Sequence, residues 1–263
     1  MFDYHIHSSF SEDSQAPLAD MIEAAYALGL KEIAVTDHYD PEYANQSMPF
    51  VLDFPAYHNA LITLSEAYKG KIKIVKGIEL GLQKKVLALC SKTVHSFNYD
   101  FILGSFHCAE DKELYGGDFF QEKTAAQSYI DFYSYVFDCL SVFKDYSVLA
   151  HFNIIDRYAK VIPKDFIYMD IVESILKMMI EDGKGIEINT SSFRYGMKQR
   201  MTPSLEILRR FKALGGTIIT VGSDAHFPGD IGYKLDYMPE YLKSEGFRYI
   251  TTFDQLKPIQ NKL

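Results

Sequence analysis

The sequence predicts an α/β fold in which parallel strands alternate with helices. Seven short runs, most of them rich in Val, Ile or Leu, have the length of buried strands and are too short for helices. Segments with helical periodicity separate these runs, and this repetition is typical of a parallel sheet with helical crossovers. Seven units indicate a barrel with one unit fewer than the common eight, and an open doubly wound sheet is the alternative. The predicted strands are residues 2–6, 32–36, 72–78, 101–104, 147–150, 185–189 and 217–221.

Five apolar stripes at helical spacing predict helices between the strands. The first stripe follows Pro17 and ends before Gly29. Proline is favoured at the start of a helix, and glycine is favoured just after its end. The last helix is predicted to open at Thr202-Pro203 and to end at Gly215. The stripes are Leu18, Met21, Ile22 and Ala25; Tyr57, Leu61, Leu64 and Tyr68; Tyr129, Ile130, Tyr133, Val136, Phe137 and Leu140; Ile171, Ile175, Met178 and Met179; and Leu205, Leu208 and Leu214.

Composition predicts one globular domain covering residues 1–263, because no linker, repeat or low-complexity tract divides the chain. The hydrophobic fraction of 48% and the charged fraction of 24% are ordinary for a globular protein. The formal net charge of -8, without any basic run, argues against binding of long nucleic acids. The segment from residue 108 to about residue 123 has no clear pattern, and we expect it to form a lid.

No export or membrane signal is recognisable. No apolar run approaches the roughly 20 residues of a membrane-spanning helix, and the first residues lack the basic and apolar regions of a signal peptide. The three cysteines, Cys90, Cys108 and Cys139, are widely spaced and are expected to be reduced thiols. We therefore expect a cytoplasmic protein without membrane attachment.

Six of the eight histidines lie at or just beyond the end of a predicted strand. The carboxyl ends of parallel strands converge on one face, where such folds place their chemistry, so we expect these side chains to meet. His58 and His95 lie outside the pattern and are expected to have ordinary structural or surface roles. The polar residues at the strand ends are His5 and His7; Asp37 and His38; Glu79; His107; His151; and Asp224 and His226.

Two of these groups have an i, i+2 spacing, which places both side chains on the same side of an extended strand. They are His5 with His7 and Asp224 with His226. A single His-x-His pair is common by chance, but its coincidence with the other strand-end groups favours a cation site. Glu79 stands among small and apolar neighbours, where an unpaired carboxylate is costly.

Short motifs recur in a fixed order over the whole length of the chain. They are Tyr4-His5-Ile6-His7, Thr36-Asp37-His38, Gly77-Ile78-Glu79, Gly104-Ser105-Phe106-His107, Ala150-His151-Phe152 and Gly222-Ser223-Asp224-Ala225-His226. In this order and spacing the chain resembles the polymerase and histidinol phosphatase (PHP) family. The resemblance implies a distorted seven-stranded (β/α) barrel of the TIM-like type and a trinuclear metal site.

The resemblance also implies three overlapping cation sites. Imidazole and carboxylate ligands suit zinc, manganese and iron alike, and they leave the choice among these divalent metals open. Asp13 stands where many family members have a histidine, and a carboxylate is still able to ligate. The implied sites are His5, His7, Glu79 and Asp224; His107 and His151 with Glu79 as a bridge; and His38, His226 and Asp13.

The compact chain resembles the monofunctional histidinol-phosphate phosphatases within this family. Arg157 and Arg194 follow the fifth and sixth strands, and we expect their guanidinium groups to bind phosphate oxygens. Asp37 and Asp40 are candidates for orienting the metal ligands or for the general acid.

The resemblance implies metal-dependent hydrolysis of L-histidinol phosphate to L-histidinol and phosphate, a step of histidine biosynthesis, by a metal-bridging hydroxide. The expected partner is therefore a small phosphate monoester. Another small phosphate ester or a nucleotide is the alternative substrate. A metal-containing binding protein without turnover and a metal-dependent amidohydrolase are the alternative classes.

Overall fold

A nearly closed barrel of seven parallel strands organises the structure, a computed structural model that describes residues 1–195, 197 and 201–263. The strand order is β1-β2-β4-β5-β8-β9-β10, and a parallel bridge between Ile6 and Ala225 joins the first strand to the last. The strands are β1 (Phe2–Ile6), β2 (Glu32–Val35), β3 (His38–Tyr39), β4 (Lys73–Gly81), β5 (Phe101–Ser105), β6 (Cys108–Ala109), β7 (Lys112–Glu113), β8 (Val148–Leu149), β9 (Gly185–Asn189), β10 (Ile219–Gly222), β11 (Tyr249–Asp254) and β12 (Lys257–Lys262).

Helices cover the outside of the barrel, and their apolar faces pack against the outward side chains of the strands. The cap residues agree with the helix starts: Asp53, Thr124 and Ser204 each accept a backbone hydrogen bond from the first turn. The helices are α1 (Leu18–Ala27), α2 (Phe54–Ala67), α3 (Leu87–Val94), α4 (Ala125–Val142), α5 (Ile155–Tyr158), α6 (Met169–Glu181), α7 (Leu205–Ala213) and α8 (Met238–Ser244).

The amino-terminal end of the barrel is closed by the C-terminal hairpin of β11 and β12. Phe253 enters a small inner cluster with Tyr4 and Phe101, and its ring centroid lies 5.0 Å from that of Phe101. The Tyr4 hydroxyl donates to Glu32 and accepts from the backbone N–H of Phe253 at 2.8 Å. The opposite end of the barrel remains free for polar side chains.

The predicted fold class is confirmed, and all seven predicted strands are present with ends shifted by a few residues. The last predicted helix begins at Leu205 and is capped by Ser204, so its start at Thr202-Pro203 was wrong. The segment expected to be a lid contains the β6–β7 hairpin and buries Leu114 and Phe119. No helix within the described residues is long and apolar enough to span a bilayer.

Candidate metal centre

Glu79 is the centre of a buried cluster at the carboxyl end of the barrel. It lies near the end of β4 and is fully buried. Its Oε2 is 3.0 Å from Nε2 of His5 and 3.1 Å from Nδ1 of His38. Its Oε1 is 2.9 Å from Nε2 of His151 and 3.5 Å from Nε2 of His107. Its Oε2 also lies 3.4 Å from Nε2 of His7. One carboxylate therefore faces five imidazoles from four different segments of the chain.

His7 occupies the second part of the cluster. Its Nε2 lies 3.4 Å from Oδ1 of Asp224, and its ring stacks on those of His38 and His226 with centroid distances of 4.2 and 4.1 Å. Asp13, an exposed residue whose side chain is 32% accessible, approaches the same side: its Oδ2 is 3.2 Å from Nε2 of His226 and 3.7 Å from Nε2 of His38. The structure thus brings together all nine residues that the sequence predicts as metal ligands.

Unusual backbone geometry at the strand ends positions several of these groups. A bulge in β1 between Asp3 and Ile6 interrupts the strict alternation of side chains, so Tyr4 joins the inner cluster while His5 joins the metal-ligand candidates. His151 and Asp224 adopt positive φ angles of 27° and 56°. Such a conformation costs roughly 1–3 kcal/mol in a non-glycine residue, and it is frequent at functional sites.

Three further carboxylates lie behind the cluster. Asp40 contacts Nδ1 of His107 at 2.7 Å, and Asp37 accepts bonds from Ser8 and Ser11 in the loop after His7. These contacts support the orienting role expected for Asp37 and Asp40, and neither residue lines the cavity described below. Their acid role stays a prediction.

Glu187, the third carboxylate, was missed by the sequence analysis. It is fully buried in β9 and lies 2.7 Å from Nδ1 of His5. A signal was present, because Glu187 is the one charged residue inside the otherwise apolar and amide-bearing run 185–189. A buried carboxylate in such a run requires a partner.

The electrostatics of the cluster are strongly coupled. Burial raises the pKa of Glu79, but the neighbouring imidazoles of His5 and His38 outweigh it and hold that pKa well below its usual range. Burial, together with the positive charge that His226 and His38 would carry, holds the pKa of His7 well below its usual range. Neutral His7 therefore presents a lone pair next to an ionised carboxylate, a combination that binds cations.

Several buried ring nitrogens support the presence of metal ions. Nε2 of His7, Nδ1 of His38 and Nε2 of His226 are buried without a hydrogen bond to any residue that the structure describes. They face carboxylate oxygens without the geometry of a hydrogen bond, and a buried polar atom without a partner is costly. Imidazole nitrogens with carboxylate oxygens suit zinc, manganese and iron. The donor set therefore fits divalent cations. Four triads have ligand atoms within 4.8 Å: His7, His38 and His226; His5, His7 and Asp224; His5, Glu79 and His151; and His38, Glu79 and His107.

A cavity of about 500 Å³ opens above the cluster. Arg157 lies in its wall, where Nη2 donates to Oγ of Ser191 at 2.7 Å and the guanidinium lies 4.8 Å from the ring of Tyr195. Arg194 is not part of that wall, because its Nη2 donates to the backbone oxygens of Ser223 and Asp224. The lining residues are Asp13, His38, Tyr43, Met48, Phe50, His107, Tyr115, His151, Arg157, Tyr158, Tyr195, Asp224, His226 and Phe227.

The remaining histidines lie away from the cavity, as expected. His58 stacks on Phe97 with a centroid distance of 3.8 Å, and its Nε2 is 2.7 Å from the Tyr99 hydroxyl. His95 is exposed. Cys108 packs with Tyr43 in a separate apolar cluster and belongs to none of the four triads.

Comparison with known proteins agrees with this geometry. Residues 3–191 match the family model described as the PHP domain. The histidinol-phosphatase of Lactococcus lactis is 30% identical, over 99% of this chain and 97% of the relative. A probable histidinol-phosphatase of Thermotoga maritima is 29% identical over 95% and 94% of the two chains.

A solved structure extends the similarity to three dimensions. The histidinol phosphate phosphatase of Lactococcus lactis, in complex with zinc, L-histidinol and phosphate, superposes with a TM-score of 0.88. The alignment has 29% identity and covers 98% of each chain. The barrel therefore has the fold of a similar protein that was solved with zinc, L-histidinol and phosphate.

Proposed function

The chain belongs to the PHP domain family, and we propose that it is a metal-dependent phosphatase that hydrolyses L-histidinol phosphate to L-histidinol and phosphate. The observation that carries this proposal is the cluster of six histidines, Glu79 and Asp224 on the floor of a cavity that Arg157 also lines. The full-length similarity to a relative solved with L-histidinol and phosphate supports the choice of substrate. The proposed reaction belongs to histidine biosynthesis.

Nine residues would hold three divalent cations, with zinc supported by its presence in the similar structure. When bound, such cations supply Lewis acidity and make water acidic enough to serve as a nucleophile near neutral pH. Three carboxylates leave a formal charge of about +3 on three divalent ions, which suits a phosphate dianion. The proposed ligand sets are His5, His7, Glu79 and Asp224; Glu79, His107 and His151; and Asp13, His38 and His226.

Arg157 would hold the phosphate group against this floor. Its Nε is buried without a hydrogen-bond partner among the described residues, while its Nη2 is fixed by Ser191. A guanidinium held in this way offers a directed N–H to a phosphate oxygen without further ordering of the side chain. Arg194 would act one layer deeper, since it holds the backbone oxygens of Ser223 and Asp224 in place.

The lining of the cavity favours direct attack by water. Among the described residues that line the cavity there is no serine, threonine or cysteine, and each lining histidine lies close to a carboxylate. The oxygen of water would form the new bond to phosphorus, and the bond between phosphorus and the histidinol oxygen would break. The departing oxygen would leave as the hydroxyl of L-histidinol after taking up a proton.

Aromatic side chains form the upper wall, where the organic part of the substrate would lie. Tyr43, Phe50, Tyr158 and Phe227 line the cavity. The ammonium and imidazole groups of histidinol are cationic or easily protonated, and cation–π contacts contribute about 0.5–2 kcal/mol each. A cavity with aromatic side chains above the proposed metal ions suits a substrate that has a phosphate at one end and a cationic group at the other.

The test is phosphate release from L-histidinol phosphate by zinc-loaded protein, compared with p-nitrophenyl phosphate, AMP and glucose 6-phosphate. We expect the highest kcat/KM for L-histidinol phosphate, and no release by the His7→Ala variant. The matched control is His58→Ala, which removes a histidine away from the cluster and is expected to keep the rate. Faster turnover of another ester would retain the reaction and reject the substrate. No turnover of any ester by zinc-loaded protein would reject the phosphatase.

A further inference from the structure

Glu187 and Glu79 hold the same two histidine residues from opposite sides. Oε1 of Glu187 is 2.7 Å from Nδ1 of His5, and Oε2 accepts the backbone N–H of His151 at 2.9 Å. The Nε2 atoms of the same two histidines lie 3.0 and 2.9 Å from the two oxygens of Glu79. His5 and His151 therefore each contact one oxygen of Glu187 and one oxygen of Glu79.

The surrounding structure is shaped around Glu187. A Cβ atom on Gly222 of the neighbouring strand β10 would collide with Oε1 of Glu187 and with Cβ of His5. The amide of Asn189 donates to Oε2 of Glu187 at 3.1 Å. Glu187 therefore meets three N–H groups in a fully buried space that a side chain on Gly222 would close.

A carboxylate at this place determines which nitrogen of His5 carries the proton. An ionised carboxylate only accepts hydrogen bonds, so Nδ1 of His5 must carry the hydrogen that faces Glu187. When a cation lies between Nε2 of His5 and Glu79, the lone pair on Nε2 faces that cation, and the proton stays on Nδ1. Without a cation, Nε2 faces the Glu79 carboxylate at 3.0 Å and carries a second proton. Hydrogen bonds of this kind fix the tautomer and the ring orientation of metal-binding histidines.

We propose that Glu187 is a positioning residue that presets His5 and His151 for cation binding by fixing the proton of His5 on Nδ1. The proposal concerns the metal site of the proposed function and rests on it. Glu187 itself is not a metal ligand in this assignment, because its two oxygens are occupied by the three N–H groups. Its effect on hydrolysis is exerted through His5 and the backbone of His151.

Glu187→Gln separates this role from simple filling of space. The amide oxygen is expected to face the N–H groups of His151 and Asn189, which leaves the NH₂ group opposite Nδ1 of His5. Two donors cannot bond to each other, so His5 has to move its proton to Nε2 and loses the lone pair on the side of Glu79. Zinc binding through Nε2 would then require the proton of His5 to return to Nδ1, opposite the NH₂ group, and this weakens zinc binding.

The experiment measures zinc affinity by competition with a chelator and the His5 tautomer by ¹⁵N NMR of histidine-labelled protein. For Glu187→Gln we expect about 10- to 100-fold weaker binding of at least one zinc ion and, in the metal-free variant, a proton only on Nε2 of His5. Glu32→Gln is the matched control, a buried glutamate of β2 that bonds to Tyr4 away from the cluster, and it should bind zinc like the native protein. Zinc affinity of Glu187→Gln within twofold of native would overturn the proposal.

The native protein provides a test that does not depend on folding of a variant. Zinc-loaded native protein should show His5 with its proton on Nδ1, and a proton on Nε2 would reject the proposal. Hydrolysis of L-histidinol phosphate is measured on the same samples. Native protein that binds zinc but does not hydrolyse the ester would reject the proposed function alone, whereas an active enzyme with unchanged zinc affinity in Glu187→Gln would reject the role of Glu187 alone.

Discussion

Oε1 of Glu79 and Nε2 of His151 lie 2.9 Å apart, although β4 and the loop after β8 are separated by 72 residues in the sequence. The contact is possible because both groups stand at the carboxyl ends of strands in one barrel. Glu79 also faces His5 from its other oxygen, so it joins opposite sides of the cluster. This arrangement makes Glu79 the side chain on which most of the proposed ligand geometry depends.

Glu79→Gln is therefore expected to damage the metal site more than any other single isosteric change. The NH₂ group cannot accept or ligate, and the variant loses one negative charge among the proposed cations. We expect fewer zinc ions per chain by elemental analysis and phosphate release reduced by at least about 100-fold. Glu32→Gln serves as control. A Glu79→Gln variant with full zinc content and native rate would contradict the assignment.

Removal of zinc is expected to lower thermal stability. A ligand that binds only the folded state at 100 times its dissociation constant stabilises that state by about 2.7 kcal/mol. For a chain of this length 1 kcal/mol corresponds to about 2–4 °C, so chelation should lower Tm by roughly 5–10 °C. The measurement is differential scanning calorimetry before chelation, after chelation and after zinc is returned. An unchanged Tm would show that the cluster does not bind zinc in the folded protein.

The strand-end ligands were predictable because parallel strands bring their carboxyl ends together whatever their separation in sequence. His7 and His226 are 219 positions apart, yet their rings stack. This convergence depends only on the strands being parallel neighbours in one barrel, and not on the register of each pair.

Glu187 and Phe253 were missed for different physical reasons. Glu187 contacts His5 and the backbone N–H of His151, and no spacing in the sequence records a contact between three separate segments of the chain. Phe253 closes the lower end of the barrel from β11, whose contribution depends on long-range packing against Tyr4 and Phe101. Periodicity shows which face of an element is apolar, but it does not show which distant element will cover it.

Stability should depend on pH through His58, away from the metal site. Burial lowers the pKa of His58 from its ordinary value of 6.5, so the unfolded chain binds more protons than the folded chain between the two pKa values. The stabilisation of the folded state by neutral His58 is therefore fully present above pH 6.5. It is lost as the pH falls through the lowered pKa of His58 in the folded state. We expect the Tm difference between native protein and His58→Gln to shrink from pH 7.5 to pH 5. Both proteins share the metal cluster, so its own titration cancels, and a constant difference would contradict this role.

The guanidinium of Arg157 is held in a fixed orientation, so it can bind phosphate both by its positive charge and by directed hydrogen bonds. Its Nη2 is fixed by Ser191 and its guanidinium plane lies near the ring of Tyr195. Hydrogen bonds to a charged group contribute about 1.5–3 kcal/mol, so Arg157→Gln should lower kcat/KM for the phosphate ester by about 10- to 100-fold. Inorganic phosphate should inhibit this variant more weakly than the native protein.

Arg157→Lys refines this test, since lysine keeps the positive charge but lacks the planar fork and its fit beside Tyr195. We expect it to restore only part of the activity lost in Arg157→Gln. The control is Arg209→Gln, because Arg209 is an exposed arginine paired with Glu245 on the outer surface. Steady-state kinetics and phosphate inhibition measure all three variants. Full activity in Arg157→Lys would show that charge alone is required, and native kinetics in Arg157→Gln would remove Arg157 from the phosphate site.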